Sequence, residues 1–147
     1  ALNEPQVIRA LYEASQAGAE IDLIVRGACT LRPGIAGVSD NIRVRSIVGR
    51  FLEHHRVWWF GNDGDPDLYC SSADWLERNL LRRVETAFPI LDPGCAQRVH
   101  REGLLNFLAD NQNAWVLETD GSYRKIVPAE GDAPFSAQLS LLDGLYA

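Results

Sequence analysis

The sequence predicts an α/β fold, and three observations carry that expectation. The chain opens with an amphipathic helix that gives way, across a tight link, to a short apolar run closed by Arg26-Gly27. A second β pattern, R-V-W-W-F, is followed by a polar turn and another apolar run. A capped helical pattern then precedes a further extended region. Helix, link, buried strand and loop in succession are the pattern of helices packed on a sheet.

Residues Asn3 to Gly18 read as a helix, with Asn3 as cap, Pro5 in the first turn and Gln6 three residues on. Val7, Ile8, Leu11, Tyr12 and Ala14 give its apolar stripe. Ile21 to Val25 reads as a short buried strand. Pro33, Gly34 and Gly37 keep Ala28 to Asn41 a loop. Ile42 to Glu53 carries apolar residues at rough helical spacing from Ser46 onward. It reads as a helix handing over to a buried strand, Arg56 to Phe60, with His54 and His55 at the join. Gly61 to Asp67 is a polar turn, and Leu68 to Ser71 completes a hairpin. A loop covers Ser72 to Trp75, and Glu77 to Leu81 is too short to assign.

Arg83 to Ile90 alternates like a strand. Asp92-Pro93-Gly94 is a turn suited to capping the next helix, Cys95 to Ala109. Trp115 to Glu118 and Tyr123 to Val127 form a small hairpin. Ala129 to Pro134 is a flexible acidic linker, and Phe135 to Tyr146 a terminal amphipathic helix. Residues 1–128 are therefore one domain, and residues 129–147 a linker with its helix.

A chain of 147 residues can bury a real core. No apolar run approaches the roughly twenty residues of a membrane span. There is no Met, the first residue is Ala, and nothing resembles a signal peptide, so the chain reads as a segment of something longer. Cys29, Cys70 and Cys95 are unclustered, which suits a reduced, intracellular protein without a zinc site. Cys70 reads as a small core residue.

The net charge of −6 argues against nucleic-acid binding. Yet six arginines lie between Arg26 and Arg56 against only Asp40 and Glu53. A basic island in an acidic chain is a focused anion site. Thirteen of the fourteen Lys and Arg residues are Arg, the side chain suited to bidentate phosphate contact.

Several residues could carry chemistry there. Arg26 ends a predicted buried strand, where open α/β sheets bind ligands; a structural salt bridge is the alternative. If residues 54–58 are extended, His54 and Arg56 share one face and His55 takes the other. A cation beside an imidazole can grip a phosphate and move its proton, whereas a His capping a helix end is the structural reading. Arg43 and Arg45 alternate as a second phosphate clamp or a solvated edge. Ser71-Ser72-Ala73-Asp74 offers hydroxyls and backbone amides to an oxyanion. Arg78, Arg82 and Arg83 read as surface charge, and Asp63, Asp65 and Asp67 as a hairpin tip rather than a calcium loop. Trp58 and Trp59 read as core. No Ser-His-Asp order, phosphate-cradling Gly-rich loop or dinucleotide fingerprint is present.

Several long runs resemble one family. They are A-L-Y-E-A-S-Q-A-G (Ala10 to Gly18), I-D-L-I-V-R-G (Ile21 to Gly27), L-R-P-G (Leu31 to Gly34) and N-I-R-V-R-S-I-V-G-R-F-L-E-H (Asn41 to His54). S-S-A-D-W (Ser71 to Trp75) and R-N-L-x-R-R-V-E (Arg78 to Glu85) belong with them. Together they resemble the last domain of bacterial polyphosphate kinase of the long multidomain type, over nearly the whole chain. The resemblance implies a phospholipase D-like half domain, with a mixed sheet flanked by helices.

It also implies reversible transfer of the terminal phosphate of ATP to polyphosphate, with Mg²⁺, through a phosphohistidine. That histidine and the Mg²⁺-linked arginines lie in the preceding domain, outside this chain, and the active site forms between the two domains. By the same resemblance Arg26 matches an ATP-contacting arginine. His54 matches a second essential histidine, placed at ATP as acid/base partner, and His55 a variable position. Arg43, Arg45, Arg56 and Ser72 are further candidates for phosphate or polyphosphate contact by their own chemistry, not by the resemblance. No metal ligand is expected in this chain.

The phospholipase D pattern is half kept. His54-x-Arg56 stands for His-x-Lys, Gly61 falls where an Asp is expected, and Ser71-Ser72-Ala73-Asp74 resembles Gly-Ser-x-Asn. The expected partners are ATP or ADP, polyphosphate, the preceding domains and further copies in a homo-oligomer, but no nucleic acid. The expected location is cytoplasmic, with some family members peripheral at the inner membrane. The fragment alone is expected to be inactive. The competing readings are a polyphosphate-binding or oligomerisation module and, last, a phospholipase D-like phosphodiesterase.

Overall fold

Apolar alternation and helical stripes resolve into two sheets and their flanking helices in a computed structural model that describes residues 1–145. Helix α1 (Pro5–Gln16) leads into β1 (Ile21–Ile24) and β2 (Ile42–Ile47). A hairpin of β3 (Val57–Phe60) and β4 (Asp67–Ser71) follows, then α2 (Glu77–Arg82) and β5 (Ala87–Pro89). Helix α3 (Pro93–His100) continues through a π-helical segment (Arg101–Leu105) into α4 (Asn106–Ala109). Strands β6 (Ala114–Leu117) and β7 (Tyr123–Lys125) and helix α5 (Ala137–Leu145) complete the fold.

The larger sheet has the order β1-β2-β6-β7. Its β1–β2 pair is parallel, in the register Ile21↔Ile42 to Ile24↔Arg45, while β2–β6 and β6–β7 are antiparallel. The α/β class with a mixed sheet flanked by helices is what the sequence predicts. The smaller sheet, β3-β4-β5, is wholly antiparallel.

Strand alternation sorts the core onto the two faces of the larger sheet. Ile42, Val44, Val25 and Leu117 form one cluster with Leu2 and Leu31, and Val7, Ile8, Leu11 and Tyr12 of α1 pack on it. Ile47 and Ala114 form another with Phe107 of α4 and Ala137 of α5. The C-terminal helix is thus built into the core through Ala137, which is wholly buried.

Several expectations need correction. The cap of α1 is Glu4, not Asn3: its carboxylate accepts from the Val7 amide at 2.8 Å while Pro5 opens the helix. Residues 42–53 are not a helix. Parallel pairing with β1 and antiparallel pairing with β6 draw 42–47 into the sheet. The Phe51 and Leu52 side chains that mimicked a helical stripe are 47% and 71% exposed. His54 and His55 therefore follow a loop rather than a helix end. The strand expected at Arg83 to Ile90 shrinks to β5, and Val84 is fully exposed.

Trp58 and Trp59 are not core residues. Trp58 is half-buried against Trp75, and the exposed Trp59 stacks on His100 at 5.0 Å. Cys70 is likewise only half-buried. Asp92 caps α3 as expected, accepting from the Cys95 amide. The expected terminal helix appears as α5, and Tyr146 lies outside the described residues.

The C-terminal helix is anchored by Asp110, whose side chain is 1% exposed. It accepts from the amides of Gln112, Asn113 and Ala137 at 2.9, 2.6 and 2.8 Å. Asp110→Ala would leave the buried Ala137 amide and the half-buried Asn113 amide without their acceptor. Each unsatisfied buried group costs about 1–3 kcal/mol, so the variant should lose about 3 kcal/mol or more in urea unfolding of this chain. A loss under about 1 kcal/mol would show that the anchor is replaceable.

Candidate anion site at the end of the parallel strands

The parallel ladder fixes the backbone up to the last residue before Arg26: the Val25 amide donates to the Arg45 carbonyl at 2.8 Å. Gly27 then adopts a φ of +87°, which L side chains rarely tolerate, and the chain turns away. Arg26 is left at the carboxyl end of β1, beside a cavity of about 150 Å³. That is several times the ~30 Å³ occupied by one water. His54, His55 and Arg56 line the same cavity, with Asp74 and Trp75 from the loop after β4 and Gly103 and Phe107 from the helix.

Arg26 and His54 thus share one cavity, although folding must bring them together from different loops. Asp74 organises the basic side. Its Oδ2 and Oδ1 accept from Arg56 Nη2 and Nε at 3.0 and 3.3 Å, a two-pronged contact. Arg26 Nη2 lies 4.0 Å from the same Oδ2, too far for a hydrogen bond but close enough for charge attraction. The Ala1 amino group donates to Oδ1 at 3.1 Å. Arg56 Nη1 also reaches the His54 carbonyl at 3.0 Å and the His54 Nδ1 at 3.2 Å. A guanidinium only donates, so this contact makes Nδ1 an acceptor and leaves the ring proton on Nε2.

His55 turns to the helix that bounds the cavity. Its Nε2 donates to the Gly103 carbonyl at 3.0 Å, and its ring lies 4.9 Å from that of Phe107.

The other candidate residues sit elsewhere and do not line the cavity. Arg43 is held by Asp22 and Glu20 on the exposed side of the sheet. Arg45 reaches across to the Leu108 carbonyl, a cation at a helix C-terminus. Ser72 donates to Glu85, which Asn79 also holds. The hydroxyl and the amide together keep the Glu85 carboxyl below its usual range.

The carboxylates around the cavity do not suit Mg²⁺, which needs several free oxygen donors. Asp74 is bound by Arg56, Asp22 by Arg43, and Glu53 by Gln138. The free groups are a guanidinium and an imidazole, a set for an anion. Sequence reasoning missed Asp74 as the counter-ion, although the Ser71-Ser72-Ala73-Asp74 match marked the loop. It also missed Gly103 and Phe107, which no local pattern ties to this site.

Burial pushes the Asp74 carboxyl up, but the bonds from Arg56 and the amino terminus outweigh it and hold the pKa at about 2, against an ordinary 3.8. Because the folded value is the lower one, this contribution is complete above pH ~4 and is lost as the pH falls toward 2. It amounts to about 2 kcal/mol. In urea titrations of this chain, the stability gap between wild type and Asp74→Asn should shrink by that amount from pH 4 to pH 2. A constant gap would mean that the carboxylate's charge contributes nothing.

Comparison with known proteins gives the family and the fold. Residues 1–138 match the family model described as polyphosphate kinase C-terminal domain 2. A polyphosphate kinase of Xylella fastidiosa is 68% identical over 145 residues, covering 99% of this chain. One of Pseudomonas aeruginosa is 58% identical over 146 residues. The chain spans 21% of the length of each of these relatives. The crystal structure of polyphosphate kinase from Porphyromonas gingivalis superposes with a TM-score of 0.92 at 41% identity, over 99% of this chain and 22% of that one. With the family model spanning residues 1–138 and the overall fold in agreement, this chain belongs to the polyphosphate kinase family, matching its second C-terminal domain.

Proposed function

We propose that this chain is a half-site of an ATP:polyphosphate phosphotransferase, which moves the terminal phosphate of ATP reversibly to polyphosphate. The observation that carries the reading is the convergence of Arg26, Arg56 and His54 on one cavity at the carboxyl end of a parallel strand pair. Phosphoryl transfer asks mainly for positioning and charge neutralisation, and these residues supply both.

Arg26 braces the nucleotide phosphates. Its contact to Asp74 is long, so it exchanges that partner for a phosphate oxygen at little cost. Arg56 stays committed to Asp74 and orients His54. His54 presents Nε2–H to the oxygen that departs with ADP and supplies a hydrogen bond or proton there. The phosphate itself passes to a histidine outside this chain, then to the end of the polymer. Mg²⁺, which neutralises the phosphates, is bound outside this chain too. Arg43, Arg45 and Ser72 would have to release their present partners to touch polyphosphate.

The physiological partners in this reading are ATP, polyphosphate, the preceding domains and further copies of the same enzyme. Among the described residues no helix is long and apolar enough to cross a membrane. The reading places the enzyme in the cytoplasm, with peripheral contact to the inner membrane in some members.

The test is made in the full-length enzyme. His54→Ala and Arg26→Ala should each lower polyphosphate synthesis by about 100-fold or more. Wild-type rates in His54→Ala overturn the assignment. The isolated chain should transfer no phosphate from ATP, and turnover by it would show that the nucleophile lies within these residues.

A further inference from the structure

The loop that carries His54, residues 48–56, belongs to neither sheet. It is nevertheless tied down by one side chain from the far end of the sequence. Gln138, in the first turn of α5, is 6% exposed. Its Oε1 accepts from the Phe51 amide at 3.1 Å and its Nε2 donates to the Phe51 carbonyl at 2.8 Å. The same Nε2 donates to the Glu53 carboxylate. One side-chain amide thus satisfies both backbone groups of a loop residue, as a neighbouring strand would.

Two neighbours extend this tether. Gly49 faces the Gln138 amide so closely that a Cβ there would overlap it. Glu53 lies 3.5 Å from His55 Nδ1, and His55 is bonded to the Gly103 carbonyl on the π segment. Residues 51–55 are therefore held from two sides, by α5 and by the helix that bears Phe107. His54 rides between these holds, exposed, with Arg56 as its side-chain partner.

We propose that Gln138 is a positioning residue for His54, acting through Phe51 and Glu53 and not by touching substrate. The inference rests on the assignment of His54 to the phosphoryl-transfer step. A misplacement of about 1 Å of a reacting group costs on the order of 100-fold in rate. Freeing this loop therefore lowers turnover, while ATP binding through Arg26 is kept.

The full-length enzyme tests this. Gln138→Leu removes all three hydrogen bonds and should lower kcat about 10- to 100-fold with KM for ATP unchanged. Gln138→Glu sets a carboxylate against Glu53 and should be impaired as well. The exchange Glu53→Gln with Gln138→Glu restores a donor–acceptor pair and should recover part of the lost kcat, a rescue that a packing role does not give. If Gln138→Leu does not fold, Gly49→Ala displaces the amide in place and should produce the same fall in kcat. Wild-type kcat in the folded Gln138→Leu or Gly49→Ala enzyme, where His54→Ala is inactive, overturns the positioning role alone. Wild-type kcat in His54→Ala overturns the assignment on which it rests.

Discussion

The cavity depends on one carboxylate holding two arginines at unequal distances. Two guanidiniums in one depression repel each other, and in the low dielectric of a half-buried site that repulsion is not fully screened. Asp74 offsets it. Its grip on Arg56 is two-pronged and short, and that on Arg26 is single and long. The inequality separates two tasks that the same residue type could perform. Arg56 serves as framework and fixes the tautomer of His54, whereas Arg26 keeps its charge available. With equal grips on both, either the framework would loosen or the free cation would vanish.

The fold makes this arrangement reachable. The parallel pairing of β1 and β2 delivers Arg26 to an edge where the chain must turn. The antiparallel hairpin of β3 and β4 delivers Arg56 and the loop to Asp74 from its open end, where the Ser71 amide bonds the Arg56 carbonyl. The two sheets therefore meet at their ends through the long Arg26–Asp74 ion pair, with Trp58 against Trp75 beside it.

Much of this was legible in the residues, and the limits have physical causes. Arg26 is legible because a run with four apolar residues, Ile21, Leu23, Ile24 and Val25, and a glycine frame it, so strand, end and turn can all be read locally. The hairpin is legible for the same reason. The stretch from Ile42 to Glu53 misleads because Phe51 and Leu52 imitate a buried helical stripe while lying exposed. What overrides local preference there is pairing with β1 and β6, contacts formed across long stretches of chain. The shared face of His54 and Arg56 follows from extended geometry alone, but their tie to Asp74 does not, since nothing local pairs an arginine with a carboxylate eighteen positions on. Gln138 gives no sign in the sequence at all: a lone glutamine near a chain terminus has the look of a surface residue.

The π segment at Arg101–Leu105 has an evolutionary corollary. A π turn is an α-helix that has accepted one extra residue. Losing a residue there would restore regular winding without breaking the helix, so such a shortened sequence would still look sound when read locally. Because the wide turn absorbs that residue, the helix beyond it would keep its facing, and Phe107 would stay under the larger sheet. What would change is the backbone of the turn itself, which includes the Gly103 carbonyl that faces His55. The surplus residue therefore answers to the imidazole above it, while the rest of the helix would wind the same without it.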